Sequence, residues 1–290
     1  MRLVDFHMHT TNSDGSYTPV QLIGYCKEKN LSCVAVTDHD TMSSLEECKG
    51  EADRLGIEFV PGVEISAQFE PGTLHILGFF LDKNHTGLQQ AFATVQRARR
   101  ERNPLIVKKL NAARVDITLE DVIEEAYGQK EVPPGKQLGR PHFARVLIKK
   151  GYAKDNTEAF EKYLSKGKPA YVDKRRLSSA EAIRLIREAG GIASVAHPKQ
   201  MKLDEESLER EIAKLVDQGL DAIEVYNSCQ NKRDNLTYKR VAKRFGLVET
   251  GGSDFHGANK PGVDLGHVGD GVSLGYEMVE ALRERIRKRI

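Results

Sequence analysis

The sequence lacks the features of a membrane protein or a secreted protein. No apolar run approaches the length of a membrane-spanning helix, and the N-terminus leads directly into a predicted strand rather than a charged leader with an apolar core. The four cysteines show no paired spacing of the zinc-ribbon kind. We therefore expect a cytoplasmic protein whose thiols are reduced and mostly buried.

A strong net charge is also missing. The formal charge is +2 at pH 7, which gives no overall basic field and argues against binding to duplex DNA. No glycine-rich phosphate loop follows the first predicted strand, and no internal repeat or low-complexity tract is present. The composition is that of an ordinary globular protein, and a chain of 290 residues is long enough for one barrel or for one barrel with an inserted subdomain.

Strand and helix signals alternate in both outer parts of the chain. Capping patterns at Thr18 to Gln21, Ser43 to Glu46 and Ser178 to Glu181 predict helix starts. Seven apolar runs predict strands, at 2–9, 31–37, 58–63, 73–80, 192–196, 220–225 and 247–251. Polar residues follow several non-adjacent strands, which is typical of the C-terminal rim of a barrel of parallel strands. We predict an α/β fold, a distorted (β/α)7 barrel.

Between 88 and 171 the alternation stops and long charged helical patterns take over. The basic run 97–102 is interpreted as a solvated helix face, Thr118 opens a further helix, and 132–135 is a loop. The sequence thus predicts a barrel formed by 1–87 and 172–290, with a mainly helical insertion subdomain at 88–171.

Isolated histidines and acids lie where the predicted strands stop. The strand period sends His7 and His9 to the same face, where two imidazoles can bind one cation. Asp254 and His256 repeat this spacing more than two hundred residues later. Any one such residue has an ordinary structural explanation, and Asp14 with Gly15 alone would be a turn.

The full set is harder to explain structurally. The candidate metal ligands are His7, His9, Asp14, His39, Glu64, His75, His197, Asp254 and His256. Imidazole and carboxylate ligands suit zinc, manganese or iron, and the absence of cysteine argues against a purely structural zinc site. His85 and His267 lie outside any ligand pattern.

Five motifs follow one another over nearly the whole chain: Asp5-x-His7-x-His9, Thr37-Asp38-His39, Pro61-Gly62-Val63-Glu64, Ala196-His197-Pro198 and Gly252-Ser253-Asp254-x-His256. In this order they resemble the motifs of the PHP family, the polymerase and histidinol phosphatase superfamily of metal-dependent phosphoesterases. The resemblance implies a PHP-type barrel with two to three divalent ions. It assigns His7, His9, Glu64 and Asp254 to the first ion, a bridging Glu64 with His75 and His197 to the second, and Asp14, His39 and His256 to the third.

Two refinements accompany this ligand assignment. Some family members have a histidine where this chain has Asp14. The Asp14 carboxylate can still ligate a metal, but we expect it to weaken the binding of the third metal or to change which metal binds. Asp5 and Asp38 are interpreted as acceptors for imidazole N–H groups rather than as ligands.

Within the insertion, the strings Gly139-Arg140-Pro141-His142 and Gly167-Lys168-Pro169-Ala170-Tyr171 resemble one branch of the family. That branch comprises small enzymes acting on nucleoside 3′,5′-bisphosphates and on short RNA 5′-ends. The resemblance implies that the insertion caps the barrel and recognises a phosphate remote from the scissile one. Arg140, His142 and Lys168 are the predicted substrate-binding residues, since guanidinium binds phosphate bidentately. The alternative for Arg140 is a surface ion pair.

The expected activity is metal-dependent hydrolysis of the 3′-phosphate of nucleoside 3′,5′-bisphosphates, extending to short 5′-phosphorylated RNA. A metal-bridging hydroxide would attack phosphorus, with His197 and Asp254 as catalytic residues. The proton donor to the leaving alkoxide stays open between His197 and a water.

The alternatives are a histidinol-phosphate phosphatase and a non-enzymatic, metal-stabilised binding module. The expected partner is a small phosphorylated molecule, either a nucleotide or a short RNA. Binding to duplex DNA or to a membrane is not expected. The sequence leaves the metal, the oligomeric state and the choice between nucleotide and oligonucleotide open.

Overall fold

The computed structural model describes residues 2–134, 136–173 and 176–289. The chain divides into two compact units. The first, called the barrel unit below, comprises Met1–Ala91 and Arg176–Ile290, and the second, called the insertion unit, is Phe92–Arg175. The sequence predicts this insertion at 88–171.

One seven-stranded sheet forms the centre of the barrel unit, and its strands lie in chain order. The strands are β1 (Leu3–Asp5), β2 (Leu31–Val36), β3 (Glu58–Ala67), β4 (Leu74–Phe79), β5 (Ile192–Val195), β6 (Ala222–Asn227) and β7 (Val248–Gly252). The seven predicted strands are confirmed among the described residues, although their ends shift by a few residues.

The sheet nearly closes on itself where the segments that follow β1 and β7 meet. Asp254 N donates to His7 O at 2.7 Å, and His9 N donates to Phe255 O at 2.9 Å. Met8 and Phe255 form a parallel bridge between the same segments. These bonds bring the first and last motifs of the chain side by side, which confirms the predicted distorted barrel.

β4 departs from the expected barrel of parallel strands. It pairs antiparallel with both β3 and β5, while the other neighbouring strands pair in parallel. The physical reason is the short connection between β3 and β4, because a parallel pair needs a crossover of a dozen or more residues. The fold is therefore a barrel distorted at one strand.

The described residues contain ten α-helices. They are α1 (Pro19–Glu28), α2 (Leu45–Leu55), α3 (Thr86–Ala112), α4 (Leu119–Tyr127), α5 (Arg140–Lys149), α6 (Asn156–Ala159), α7 (Ser179–Glu188), α8 (Glu205–Asp217), α9 (Lys232–Phe245) and α10 (Glu277–Arg287). None of the helices within the described ranges is long and apolar enough to cross a membrane.

The predicted helix starts are right for α1, α4 and α7 and wrong for α2. Thr18 Oγ1 accepts from Gln21 N, and Gln21 Oε1 accepts from Thr18 N, so the predicted capping box precedes α1. Ser43 does not cap α2, which begins after Ser44. The Ser43 hydroxyl instead contacts Asn12 and Thr41 near the rim of the sheet.

The insertion unit has its own apolar core. Ile106 and Leu110 of α3 pack with Phe143 and Leu147 of α5 and with Leu164, all of them buried. The interpretation of 97–102 as a solvated face is wrong for two residues of that run. Arg99 and Arg102 are only 7% and 5% exposed. The charge pattern of one helix does not show which of its side chains the folded protein covers.

Candidate metal centre

Most of the predicted metal ligands lie on strands or shortly after them, at one end of the sheet, and Asp14 lies in a turn further along the chain from β1. His7 and His9 follow β1, His39 follows β2, and Asp254 and His256 follow β7. Glu64 lies within β3 rather than after it, because β3 continues to Ala67. The structure therefore brings these distant motifs together, as the barrel prediction requires.

Antiparallel pairing explains how β3 and β4 share a site. Ser66 lies opposite His75 across the pair, and Glu64 is two residues from Ser66 on the same face of β3. Glu64 and His75 are therefore diagonal neighbours on one face. Their side chains meet, with His75 Nδ1 2.6 Å from Glu64 Oε1.

Four side chains form a compact group of two nitrogens and two oxygens. His7 Nε2 lies 3.4 Å from Glu64 Oε2 and 3.4 Å from Asp254 Oδ1. His9 Nε2 lies 3.3 Å and 3.4 Å from the same two oxygens. These distances exceed those of good hydrogen bonds. They match the ~3.4 Å that separates two ligands when each lies ~2.1 Å from one tetrahedral ion.

The second oxygen of Glu64 faces two further histidines. Besides His75 Nδ1, His197 Nε2 approaches Oε1, at 2.9 Å. On the other side of the carboxylate, His39 Nδ1 lies 3.1 Å from Oε2. Glu64 thus contacts residues predicted for all three ions, which agrees with the bridging position implied by the family resemblance.

A third group surrounds Asp14. His256 Nε2 lies 3.3 Å from Asp14 Oδ1, and His39 Nε2 lies 3.8 Å from Asp14 Oδ2. His9 joins this group through its other ring nitrogen, since Nδ1 is 3.7 Å from Asp14 Oδ1. Asp14 therefore belongs to the cluster rather than to an isolated surface turn.

The residues fit divalent ions. In the described part of the chain, His7 Nε2, His9 Nε2, Glu64 Oε2 and Asp14 Oδ1 are buried atoms that make no hydrogen bond. Buried polar atoms almost always have partners, so this convergence of lone pairs calls for a cation. Sets of side chains whose ligand atoms lie within 4.8 Å of one another are His9, Asp14, His39 and His256; His7, His197 and Asp254; His7, His9 and Glu64; and His39, Glu64 and His75.

The electrostatics of the cluster lead to the same conclusion. Burial opposes a proton on His9, yet Asp254 and Glu64 outweigh it and raise the pKa of His9 to about 10. Burial likewise opposes ionisation of Glu64, but His39, His75 and His7 hold its pKa well below the ordinary value. For His39 burial prevails and lowers the pKa to about 3. The ionised carboxylates therefore require positive charge, which protons or divalent ions can supply.

Three non-glycine residues at this end of the sheet have left-handed backbone conformations. The φ angles are +52° at Asp40, +26° at His197 and +56° at Asp254. Such conformations are costly for residues with a Cβ and concentrate at functional sites. Two of the three, His197 and Asp254, are predicted metal ligands, which indicates that the surrounding fold fixes the positions of their side chains.

The expected role of Asp5 and Asp38 as imidazole acceptors is wrong. Asp5 accepts the backbone N–H groups of His7, Ser253 and Gly266 at 2.9–3.2 Å. Asp38 accepts from Thr10 N and from the Thr10, Ser13 and Ser44 hydroxyls. Both carboxylates position the loops that carry the histidines, and neither takes an imidazole N–H in the described residues.

Glu224 is a site residue that the sequence analysis missed. It lies in β6, is fully buried, and its Oε1 is 2.9 Å from His7 Nδ1. An acid inside an apolar strand is itself a signal, because a buried charge must be paired.

Lys260 was missed as well. Its Nζ donates to Asp254 Oδ2 at 2.7 Å and approaches Ser228 Oγ at 3.2 Å. Burial opposes the charge, but Asp254 raises the pKa of Lys260 above its ordinary value. No sequence pattern marks this lysine.

The three predicted substrate residues have different surroundings within the insertion unit. Arg140 opens α5, donates from Nη1 to Leu164 O at 3.0 Å and lies 5.7 Å and 5.5 Å from the ring centres of Phe160 and Tyr171. His142 is buried, and its Nδ1 accepts from Gly139 N at 2.9 Å. Lys168 is exposed in a turn.

A PHP domain model matches residues 5–229 of this sequence. The chain belongs to the PHP domain family. The match includes His7, His39, Glu64 and His197, whereas Asp254 and His256 lie beyond its end. The recognition made from the motifs is therefore confirmed.

Two curated relatives of this PHP protein are similar over nearly their whole lengths. The 3′,5′-nucleoside bisphosphate phosphatase of Chromobacterium violaceum is 33% identical over 270 residues, which cover 93% of each chain. The 5′-3′ exoribonuclease Rnm of Escherichia coli strain K12 is 33% identical over 266 residues, covering 91% of this chain and 88% of the relative. Both relatives are named for reactions at phosphoric esters.

A solved structure agrees with this assignment. A protein from Bifidobacterium adolescentis, described as a metal-dependent phosphoesterase, superimposes with a TM-score of 0.84 at 29% identity. The match covers 97% of this chain and 96% of that one. The prediction of a hydrolase acting on phosphoric ester bonds is confirmed by these comparisons, and the non-enzymatic alternative loses its support.

Proposed function

We propose that this PHP enzyme removes the 3′-phosphate from nucleoside 3′,5′-bisphosphates and also acts on short 5′-phosphorylated RNA. The observation that carries the proposal is the group of two imidazole nitrogens and two carboxylate oxygens separated by 3.3–3.4 Å. Such a group suits a divalent ion at a phosphoesterase centre. The similarity to a bisphosphate phosphatase over 93% of both chains supports the substrate class.

Our proposal assigns two to three divalent ions, of manganese, zinc or iron, to this centre. The ligands are His7, His9, Glu64 and Asp254 for the first ion, Glu64 with His75 and His197 for the second, and Asp14, His39 and His256 for the third. The spacing of the described side chains supports the first and third sets. For the second, His75 Nδ1 and His197 Nε2 both approach Glu64 Oε1.

Bound divalent ions would supply positive charge for the transferring phosphoryl group and lower the pKa of water. The protein's part is to orient and to balance charge. Asp254 turns one oxygen to His7 and His9 and the other to Lys260, so its position is fixed from two sides. We assign catalytic roles to His197 and Asp254, with the proton for the leaving alkoxide coming from His197 or from water.

The proposed partner is a nucleotide or a short RNA, and we expect binding neither to duplex DNA nor to a membrane. The proposed location is the cytoplasm. Cys26, Cys33, Cys48 and Cys229 are free thiols, and the first three are buried. Free thiols are typical of proteins in a reducing compartment, which supports the location.

The test compares kcat/KM, with added Mn²⁺, for phosphate release from adenosine 3′,5′-bisphosphate and from histidinol phosphate and for mononucleotide release from a 5′-phosphorylated oligoribonucleotide. We expect the bisphosphate to be hydrolysed at least tenfold more efficiently than histidinol phosphate. Preference for histidinol phosphate would overturn the proposal in favour of the phosphatase alternative. Activity on the oligonucleotide alone would transfer the assignment to an exoribonuclease.

A further inference from the structure

One buried carboxylate contacts two of the predicted metal ligands without being a ligand itself. Glu224 has no solvent exposure, and its Oε1 lies 2.9 Å from His7 Nδ1. Its Oε2 accepts from the backbone N of His197 at 2.6 Å and from Asn227 Nδ2 at 3.0 Å. All these donors point at one side chain in the middle of β6.

The contact with His7 determines where the proton of that imidazole lies. An ionised carboxylate only accepts hydrogen bonds, so Nδ1 must carry the proton that it donates to Glu224. The other nitrogen, Nε2, then keeps its lone pair when the ring is neutral. That nitrogen faces Glu64 and Asp254, each 3.4 Å away, and is the atom that an ion would contact.

The contact with His197 acts on the backbone. His197 has φ +26° and ψ +67°, a conformation that residues with a Cβ rarely adopt. A short hydrogen bond from its N–H to Glu224 Oε2 holds the peptide in this conformation. The ring of His197 is thereby directed so that Nε2 reaches Glu64 at 2.9 Å.

We propose that Glu224 is a positioning residue that sets the divalent-ion affinity of the centre by fixing the tautomer of His7 and the backbone of His197. This inference rests on the proposed metal-dependent function. Outer partners of this kind orient metal-binding histidines, and their loss typically costs 10- to 100-fold in metal affinity.

Glu224→Gln is the most informative variant, because it keeps the shape and reverses one hydrogen bond. The amide oxygen would stay with the N–H donors of His197 and Asn227, leaving the amide NH₂ to face His7 Nδ1. His7 would then have to accept at Nδ1 and carry its proton on Nε2. That tautomer has no lone pair to offer an ion at Nε2.

The experiment is a calorimetric titration of the metal-stripped full chain with Mn²⁺. We expect Glu224→Gln to weaken the tightest Mn²⁺ site by about 10- to 100-fold. Asp221→Asn is the matched control, since Asp221 is also a fully buried carboxylate, directly before β6, but its side chain pairs with arginines. It should lower thermal stability while keeping the wild-type Mn²⁺ affinity. Equal affinity losses in both variants, or none in Glu224→Gln, would overturn the proposal.

A second measurement uses the wild-type chain and does not depend on a variant that folds. Nitrogen-15 NMR of the zinc-loaded protein distinguishes imidazoles protonated at Nδ1 from those protonated at Nε2. We expect His7 to be protonated at Nδ1, and a proton on Nε2 would overturn the inference. Conversely, a wild-type chain that releases no phosphate from the bisphosphate, while Glu224→Gln still loses Mn²⁺ affinity, would reject the proposed substrate and leave the role of Glu224 intact.

Discussion

The barrel unit and the insertion unit carry polar residues of opposite character. In the barrel unit, carboxylates and imidazoles converge within a few ångströms of Glu64, which is itself buried, while His39 and His75 are partly exposed. In the insertion unit, the distinctive polar residues are arginines, with Arg99 and Arg102 buried and Arg140 beside two aromatic rings. The barrel unit is suited to bind metal cations, whereas the insertion unit contains cationic side chains.

Under the proposed function, the two units have different roles. Glu64 and its neighbours suit the chemistry at the scissile phosphate, because ionised oxygens and imidazole nitrogens attract divalent ions. Guanidinium groups suit recognition of a phosphate that does not react. Changes to the proposed metal ligands of the barrel unit should therefore lower turnover on every substrate, whereas a change at Arg140 of the insertion unit should alter the choice among substrates.

Glu64→Gln should have the largest effect on activity. It removes the charge of the only carboxylate, among the described residues, that we assign to two ions, and a loss of ~4 kcal/mol of transition-state stabilisation lowers turnover on the order of 10³-fold. Elemental analysis should show fewer bound ions per chain than in the wild type. Unchanged metal content with unchanged turnover would contradict the bridging assignment.

His7→Ala should lower turnover somewhat less, by on the order of 10²-fold or more, because it removes one ligand of one ion. The barrel should keep its fold, which circular dichroism and thermal unfolding can check. His267→Ala provides the matched control, since that histidine belongs to the same unit but is exposed. Parent-like turnover of His7→Ala at controlled metal content would remove His7 from the centre.

Arg140→Ala should separate recognition from chemistry. Loss of a charge-assisted hydrogen bond worth roughly 1.5–3 kcal/mol corresponds to a fall in kcat/KM on the bisphosphate of roughly 10- to 150-fold. Activity on a generic monophosphate ester should scarcely change, because the metal ligands stay in place.

Arg100→Ala is the control for Arg140, as an exposed arginine of the same unit. Equal losses of Arg140→Ala on both substrates would move Arg140 to the scissile phosphate. No loss on either would reduce it to a structural residue that holds Leu164 O.

Asp121→Asn should have the smallest effect, confined to the stability of the insertion unit. The hydrogen bond from Lys150 holds the pKa of Asp121 below its ordinary value of 3.8, although burial acts in the opposite direction. A carboxylate with a lowered pKa stabilises the fold above its ordinary pKa, and that contribution is lost as the pH falls through the folded-state value.

Near neutral pH, hydrogen exchange of the amides in α4 should therefore show a free energy of local opening that is lower in Asp121→Asn than in the wild type, by about 0.5–1.5 kcal/mol. The difference from the wild type should shrink below pH 3.8. Asp116→Asn, an exposed neighbour, should show neither change. A difference between Asp121→Asn and the wild type that persists in acid would refute the charge-based explanation.

Sequence patterns predicted the barrel well because its signals are local. Thr18 and Gln21 mark the start of α1, and short apolar runs mark the strands. The direction of β4 was not predicted, although the connection from β3 to β4 is too short for the crossover of a parallel pair. The predicted cap at Ser43 was wrong because its hydroxyl contacts Asn12, 31 residues away, and Thr41 instead of capping α2.

The sequence by itself determined the family and the candidate metal ligands, because the spacing of His7 and His9 and the ends of the strands are encoded within a few residues of each motif. Only the tertiary structure decided which carboxylate supports which imidazole. Asp5 and Asp38 are next to the histidines in sequence but bind backbone and hydroxyl groups, whereas Glu224, 217 residues away from His7, lies 2.9 Å from its imidazole Nδ1. The physical reason is that a hydrogen bond requires two groups within about 3 Å in space, and only the folded sheet brings Glu224 of β6 that close to His7.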